Sequence, residues 1–91
     1  MQNTDKRITL CANAILQEVE DEAVLLNLNS QHYYALNPSG LRMLQVLTKS
    51  DNLEQAAASL LDEYEVDPAV LRSDLQELVD DLLAQGLVEF I

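Results

Sequence analysis

Two dipeptides in the sequence, Asn37-Pro38 and Asp67-Pro68, constrain the fold more than any other feature. In each dipeptide, a residue whose side chain caps helix N-termini precedes a proline at the first helical position, where the missing N–H costs nothing. The sequence therefore predicts that one helix begins at Pro38 and another at Pro68. Because the chain contains no other proline, its remaining boundaries must be set by other signals.

The first third of the chain has the pattern of a three-stranded antiparallel meander. Two runs of β-forming residues, 15–19 and 23–28, flank an acidic turn and are predicted to form a hairpin. Asn29-Ser30 then predicts a two-residue turn. Residues 31–36 include two adjacent tyrosines, which suit a third strand.

The rest of the chain is expected to hold three helices. The helix that begins at Pro38 has apolar residues on most of its sides, which favours a largely buried position. A second helix is predicted to begin near Asp51 or Asn52, because apolar residues then recur on one stripe at helical spacing. The third runs from Pro68 and ends at Gly86, since glycine is the usual residue just beyond a helix.

Other stretches are less constrained. Residues 8–10 either extend the first strand or stand before it, and the apolar tail 87–91 is expected to pack back on the sheet. A chain of 91 residues has room for one modest core, so we expect one domain over residues 1–91, with residues 1–7 flexible. The predicted fold class is α+β, a winged helix-turn-helix-like domain in which a three-stranded antiparallel sheet is followed by three helices.

Charge narrows the range of partners. The chain has 16 Asp and Glu against 5 Lys and Arg, a formal net charge of -11. Such a surface repels nucleic acid, which requires a basic face, and attracts a cationic peptide or protein. No apolar run approaches the roughly 20 residues of a membrane helix, so no membrane contact is expected. A single cysteine and the lack of a signal-peptide pattern favour a cytoplasmic location.

The sequence shows no catalytic or metal-binding pattern. Cys11 and His32 are the only cysteine and histidine, and their spacing does not suggest a nucleophile and its base. The carboxylates do not form a calcium-binding loop, and two glycines are too few for a phosphate-binding loop. We therefore expect no enzymatic activity, no metal and no cofactor.

Four stretches of the sequence together resemble the PqqD-like family of leader-peptide recognition elements. These stretches are Val24-Leu25-Leu26-Asn27-Leu28, His32-Tyr33-Tyr34-Ala35-Leu36-Asn37-Pro38-Ser39-Gly40, Asp62-Glu63-Tyr64-Glu65-Val66-Asp67 and the run from Leu78 to Val88. The resemblance covers about residues 15–88. Within the family, the second stretch is most similar to the stand-alone recognition proteins of split lasso-peptide maturation systems.

This resemblance implies a function in which the protein binds the leader of a ribosomally synthesised precursor and presents it to a leader peptidase or other tailoring enzyme. The leader is added as a strand to the third strand, in a cleft closed by the third helix. The residues implied in leader binding are Gln31, His32, Tyr33, Tyr34, Ala35, Leu36, Val70, Leu71, Asp74, Leu75 and Leu78. An exposed edge of this kind also leaves open a homodimer through the same strand.

Several alternatives remain open. Tyr33 and Tyr34 point to opposite faces of a strand, so only one of them can face the cleft. The simplest interpretation of the leucines of the third helix is that they belong to the core. The simplest interpretation of its acidic flank is that it is a solvated surface. A peptide chaperone for a radical enzyme in quinone-cofactor biosynthesis is the main alternative function. A DNA-binding winged helix is a weaker one, because the third helix is acidic.

Overall fold

A computed structural model describes residues 7–91. The strands are β1 Ile8–Leu10, β2 Ala14–Val19, β3 Glu22–Asn27, β4 Tyr33–Leu36 and β5 Val88–Phe90, and the helices are α1 Pro38–Lys49, α2 Leu53–Glu63 and α3 Pro68–Ala84. The predicted flexibility of residues 1–6 lies outside the described residues. Arg7 is attached to the C-terminal strand, because its carbonyl accepts a hydrogen bond from the Ile91 N–H at 2.9 Å.

The predicted three-stranded antiparallel sheet is confirmed, with strand order β2-β3-β4. The register pairs Leu26 with Tyr33 and Ala23 with Leu36, so β4 lies at one edge of the sheet. Three helices follow this sheet in the chain, as expected. The α+β prediction is therefore confirmed.

A second sheet, absent from the predicted fold, joins the two ends of the described chain. β1 pairs antiparallel with β5, in a register that places Ile8 opposite Phe90 and Leu10 opposite Val88. Residues 8–10 are thus a separate strand and do not extend β2. The C-terminal tail hydrogen-bonds to β1 and not to the three-stranded sheet, while its residues Leu87 and Val88 belong to the same cluster of buried residues as Leu25 of β3.

All three helices begin with the capping side chains that the sequence indicates. The Oδ1 atoms of Asn37, Asn52 and Asp67 accept hydrogen bonds from backbone N–H groups of the first helical turns at 2.7, 2.8 and 2.8 Å. Gly86 follows α3 with a φ of 69°, and the next residue, Leu87, donates back to the Leu82 carbonyl at 2.9 Å. This pattern ends the helix at a residue where a side chain would be strained.

The core lies between the helices and one face of the three-stranded sheet. Leu25 of β3, Leu44 of α1, Leu60 of α2 and Leu75 of α3 are at most 1% exposed and belong to one cluster of buried residues. Arg42 of α1 also bonds the Glu63 carboxylate at the end of α2 with a shortest N–O distance of 2.7 Å. The cluster fixes α3 relative to the sheet, and thereby sets the space between α3 and β4.

The β3–β4 connection differs from the predicted two-residue turn. Five residues, 28–32, separate the strands, and Gln31 has a φ of 63°. The third strand begins at Tyr33, so the predicted strand over residues 31–36 is too long by Gln31 and His32. The physical reason is that the Asn27 side chain, and not a tight turn, organises the loop.

Asn27 is 7% exposed and is bonded on every side. Its Oδ1 accepts hydrogen bonds from the N–H groups of Asn29 and Ser30 at 2.9 and 3.2 Å, and from Asn13 Nδ2 at 2.9 Å. Its Nδ2 donates to the Gln85 carbonyl at 2.7 Å. One amide therefore holds the β3–β4 loop, the segment before β2 and the end of α3 together.

Candidate functional site

The free edge of β4 is the first part of the candidate site. The Asn27 N–H donates to the His32 carbonyl at 2.9 Å, so the pair of these residues is a hydrogen-bonded one. Such pairs alternate with non-bonded pairs along an antiparallel ladder. The backbone N–H and C=O groups of Tyr34 and Leu36 therefore hydrogen-bond to β3, whereas those of Tyr33 and Ala35 point away from the sheet. These groups are available to an added strand.

The β4 side chains divide between the two faces of the sheet. Tyr34 and Leu36 face the helices, with Tyr34 half-buried and Leu36 buried. Tyr33 is 73% exposed on the opposite face, where Ala35 also lies. Tyr34 is thus the tyrosine on the helix-facing side of β4, a choice that the sequence left open.

Tyr34 connects β4 to α3. Its hydroxyl donates to Asp81 Oδ2 at 3.2 Å. Burial raises the pKa of the Tyr34 phenol above its usual range, and the neighbouring Asp81 carboxylate raises that pKa further. The phenol accordingly remains protonated through neutral pH and can act as a hydrogen-bond donor at this end of α3.

A cleft of about 360 Å³ lies between β4 and α3. We use the term cleft for the space lined by Glu22, Tyr34, Ala35, Leu36, Asn37, Gly40 and Leu78. It runs directly beside the edge that carries the free backbone groups of β4. A chain paired with β4 would therefore place its inward side chains against this lining.

An apolar hollow of about 170 Å³ lies farther along α3. It is lined by Ser39, Met43, Leu60, Tyr64, Val66, Val70, Leu71 and Asp74. Tyr64, Val66 and Val70 are 40–55% exposed, so apolar surface here is open to a ligand. Positions 70, 74 and 78 lie on one side of α3 at intervals of four residues, which makes the cleft and the hollow neighbours.

The predicted α3 residues contribute unequally to this surface. Val70 and Asp74 are exposed at the hollow, and Leu71 and Leu78 are buried but form part of the hollow and the cleft. Leu75 is 0% exposed and lines neither space, so it supports the wall from the core. Gln31 and His32 are exposed in the loop before β4, outside the edge strand to which they were assigned.

Five of the residues that line the hollow were not among the predicted binding residues: Ser39, Met43, Leu60, Tyr64 and Val66. Met43 comes from α1, while Tyr64 and Val66 belong to the connection between α2 and α3. In the sequence, Tyr64 continues the apolar stripe of the second helix and so resembles a core residue. The only signal available in the sequence was the apolar pair Tyr64 and Val66 within an otherwise acidic connection.

Carboxylates lie along the exposed flank of α3. Asp74, Glu77 and Asp81 are exposed on the side of the helix that faces the hollow and the cleft. Asp80 is also exposed but accepts a hydrogen bond from Gln76 Nε2 at 2.9 Å. Such a helix would repel DNA phosphates and attract a basic group.

The described residues give little support to metal binding or to catalysis by a cysteine. Within residues 7–91, no group of three or more His, Cys, Asp or Glu side chains is placed to hold a metal ion. Burial, followed by the nearby Glu89 carboxylate, raises the pKa of the Cys11 thiol, which makes the reactive thiolate scarcer. No helix in this part of the chain is both long enough and apolar enough to span a bilayer.

The fold and the site together define a class: a winged-helix-like domain with a free strand edge beside a helix-lined cleft. The family model of coenzyme PQQ synthesis protein D, PqqD, matches residues 22–88. The chain therefore belongs to the PqqD family, and the predicted resemblance is confirmed. A search of curated proteins found no significant match.

Two solved structures are similar over nearly the whole chain. One is TbiB1 in complex with the TbiA(beta) leader peptide, at 26% identity and a TM-score of 0.80, covering 88% of this chain and 93% of TbiB1. The other is a lasso peptide synthetase B1 complexed with the leader peptide, at 25% identity and a TM-score of 0.81. That similarity covers 91% of this chain and 98% of the other.

Proposed function

We propose that this protein binds the leader peptide of a ribosomally synthesised precursor, of the lasso-peptide type, and presents it to a separate processing enzyme. The free edge of β4 beside the cleft is the observation that carries this proposal. The two similar structures support it, because both contain a leader peptide. We further propose that residues 7–91, which share one core cluster, act as one recognition domain without catalytic activity.

Strand addition would use the backbone for affinity and the cleft for register. The leader would exchange hydrogen bonds with Tyr33 and Ala35, whose N–H and C=O groups point outward. Alternate leader side chains would then face Tyr34, Leu36 and Leu78 in the cleft. An apolar leader residue farther along would enter the hollow beside Val70.

Hydrogen exchange tests this mode of binding at single residues. On addition of the leader, the Tyr33 and Ala35 amides should gain protection, because their N–H groups become paired. The Tyr34 and Leu36 amides are internal controls, since they already pair with β3 and should change less. Protection confined to α2, with no change along β4, would contradict strand addition.

Asp74 and Asp80 form a matched pair for testing the role of the acidic flank. Asp74 lines the apolar hollow, whereas Asp80 lies outside both spaces and accepts from Gln76. A charged hydrogen bond contributes roughly 1.5 to 3 kcal/mol, whereas an exposed ion pair contributes about 0 to 1 kcal/mol. Asp74→Asn should weaken leader binding severalfold or more, and Asp80→Asn should change it little. Affinities and melting temperatures should be measured together. Equal effects of the two substitutions on leader affinity would contradict a binding role for the flank and show that it is a solvated surface.

The primary experiment is a calorimetric titration with the leader of the precursor encoded beside this protein. We expect saturable 1:1 binding, with both partners unchanged in mass afterwards. Mass spectrometry after long incubation tests the absence of catalytic activity. Cleavage or modification of the precursor by the purified protein alone would overturn the adaptor role.

The PqqD match favours one second candidate function. The matching family is described as coenzyme PQQ synthesis protein D, so the same cleft could present a different precursor to a radical enzyme of quinone-cofactor synthesis. The two functions predict different neighbours in the genome. A lasso cyclase and a transglutaminase-like protease would support the first, and a radical enzyme would support the second.

A further inference from the structure

The face of the three-stranded sheet that points away from the helices is unusually apolar. Register places Ile15, Leu26 and Tyr33 in one row across the strands. The next row contains Gln17, Val24 and Ala35, and Val19 follows on β2. We call Ile15, Val19, Val24, Leu26, Tyr33 and Ala35 the outer face.

The outer face is open to solvent in the described structure. Ile15, Val24, Val19 and Tyr33 are 45%, 37%, 71% and 73% exposed. By contrast, Leu25, on the opposite side of the same sheet, is fully buried. One polar face is the usual arrangement for an antiparallel sheet with a single covered side. A contiguous apolar face instead indicates a surface that another molecule covers.

Charge around the outer face distinguishes between partners. Glu20 and Glu22 lie at its β2–β3 end and line a shallow depression with Val19 and Val24. Arg42, Lys49 and Arg72 are on helices, and Arg7 precedes β1. A second copy would bring the same acidic rim and the same excess of negative charge, which opposes close pairing. The complementary surface is apolar with basic residues around it.

The outer face is continuous with the proposed leader site through β4. Tyr33 and Ala35 direct their side chains to the outer face and their free backbone groups to the edge. A leader strand added at that edge would therefore extend the outer face by one strand, with its own outward side chains. A protein docked on this face near β4 would contact the domain and the leader together.

We propose that the outer face docks the enzyme that acts on the precursor, and that this enzyme contributes an apolar patch bordered by lysine or arginine. This inference rests on the proposed function, because it assumes that a leader occupies the β4 edge. It assigns the two tasks of the domain to different surfaces. The cleft and the edge hold the leader, and the outer face holds the enzyme.

A triple variant separates these tasks. Ile15→Thr, Val19→Thr and Val24→Thr together remove apolar surface from β2 and β3, while the β-branched side chains retain strand propensity. The probe is the leader peptidase encoded beside the precursor, titrated against the leader-bound protein by calorimetry. We expect the triple variant to bind the peptidase roughly tenfold more weakly or worse. Its affinity for the leader alone should stay within about twofold, because the edge is unchanged.

Controls make each outcome decisive. Ile91→Thr removes an equally apolar side chain, 67% exposed, from a site away from the outer face and should leave peptidase binding unchanged. Glu20→Gln, at the acidic end of the outer face and outside the cleft lining, should weaken peptidase binding and reduce its dependence on salt.

Wild-type peptidase affinity in a folded triple variant would overturn the inference. A concentration-dependent dimer of the wild-type protein that the triple variant abolishes would also overturn it, by assigning the face to a second copy. Failure of the wild-type protein to bind the leader would instead remove the proposed function itself.

Discussion

Ala35→Pro should abolish most leader binding while leaving the domain folded. The Ala35 N–H points away from β3, so proline removes a hydrogen bond to the leader and none within the sheet. Its ring would also occupy the space into which the leader backbone must fit. Together these effects should cost about 2 kcal/mol or more, which corresponds to roughly 30-fold in affinity. Calorimetric titration with the leader measures this loss.

Ala35→Val is the matched control for the proline variant. It adds a side chain of similar bulk on the outer face but retains the N–H, so leader affinity should remain close to that of the wild type. Circular dichroism and melting temperatures show whether both variants are folded. A folded Ala35→Pro variant with unchanged leader affinity would exclude backbone pairing at β4.

Asn27→Ala should lower the free energy of unfolding by about 2–4 kcal/mol. The substitution removes Oδ1, which accepts three hydrogen bonds, and Nδ2, which donates one to the Gln85 carbonyl. A polar group left unpaired in a buried place costs about 1–3 kcal/mol. Water can satisfy part of this network because it is only partly buried, so the total is smaller than the sum of its bonds. Urea denaturation measures the change.

Asn27→Asp tests which half of the Asn27 amide is more important. The carboxylate retains an acceptor for Asn13 Nδ2 and for the two loop N–H groups, but it faces the Gln85 carbonyl without a proton to donate. Its destabilisation should be smaller than that of alanine at neutral pH. If Asn27→Ala is as stable as the wild type, the amide does not hold the loop to α3.

The helical part of the fold was predictable because its signals are local. A capping side chain and a proline sit next to each other at residues 37–38 and again at 67–68, and each sets a helix start by its own chemistry. Gly86 is also a local signal, since its positive φ is required one residue beyond the helix cap. None of these boundaries depends on the tertiary fold.

The β region was less predictable because its pairings depend on distant residues. β1 and β5 pair across nearly the whole described chain, and three-residue strands carry almost no periodic pattern of their own. Asn27 likewise occupies a strand-like run, yet its amide shapes the loop by reaching the end of α3. Sequence alone does not show which polar residue of a strand will be buried.

The candidate site was likewise only partly predictable from the sequence. The edge strand and the α3 flank were accessible through the family resemblance, and the assignment of Tyr34 to the cleft required the register of β3 with β4. Leu75 could not be separated from Leu71 and Leu78 by helical spacing, because all three lie on one apolar stripe. The apolar hollow depends on Tyr64 and Val66, whose position follows from how α2 and α3 meet.

The small β1–β5 sheet has a practical consequence for protein engineering. Because the Ile91 N–H bonds the Arg7 carbonyl at 2.9 Å, the polypeptide enters and leaves the folded unit at almost the same point. Units with adjacent ends tolerate insertion into a host loop and circular permutation. A host protein could therefore display this domain as an insert on two short linkers, with its fold closed at the junction by backbone hydrogen bonds.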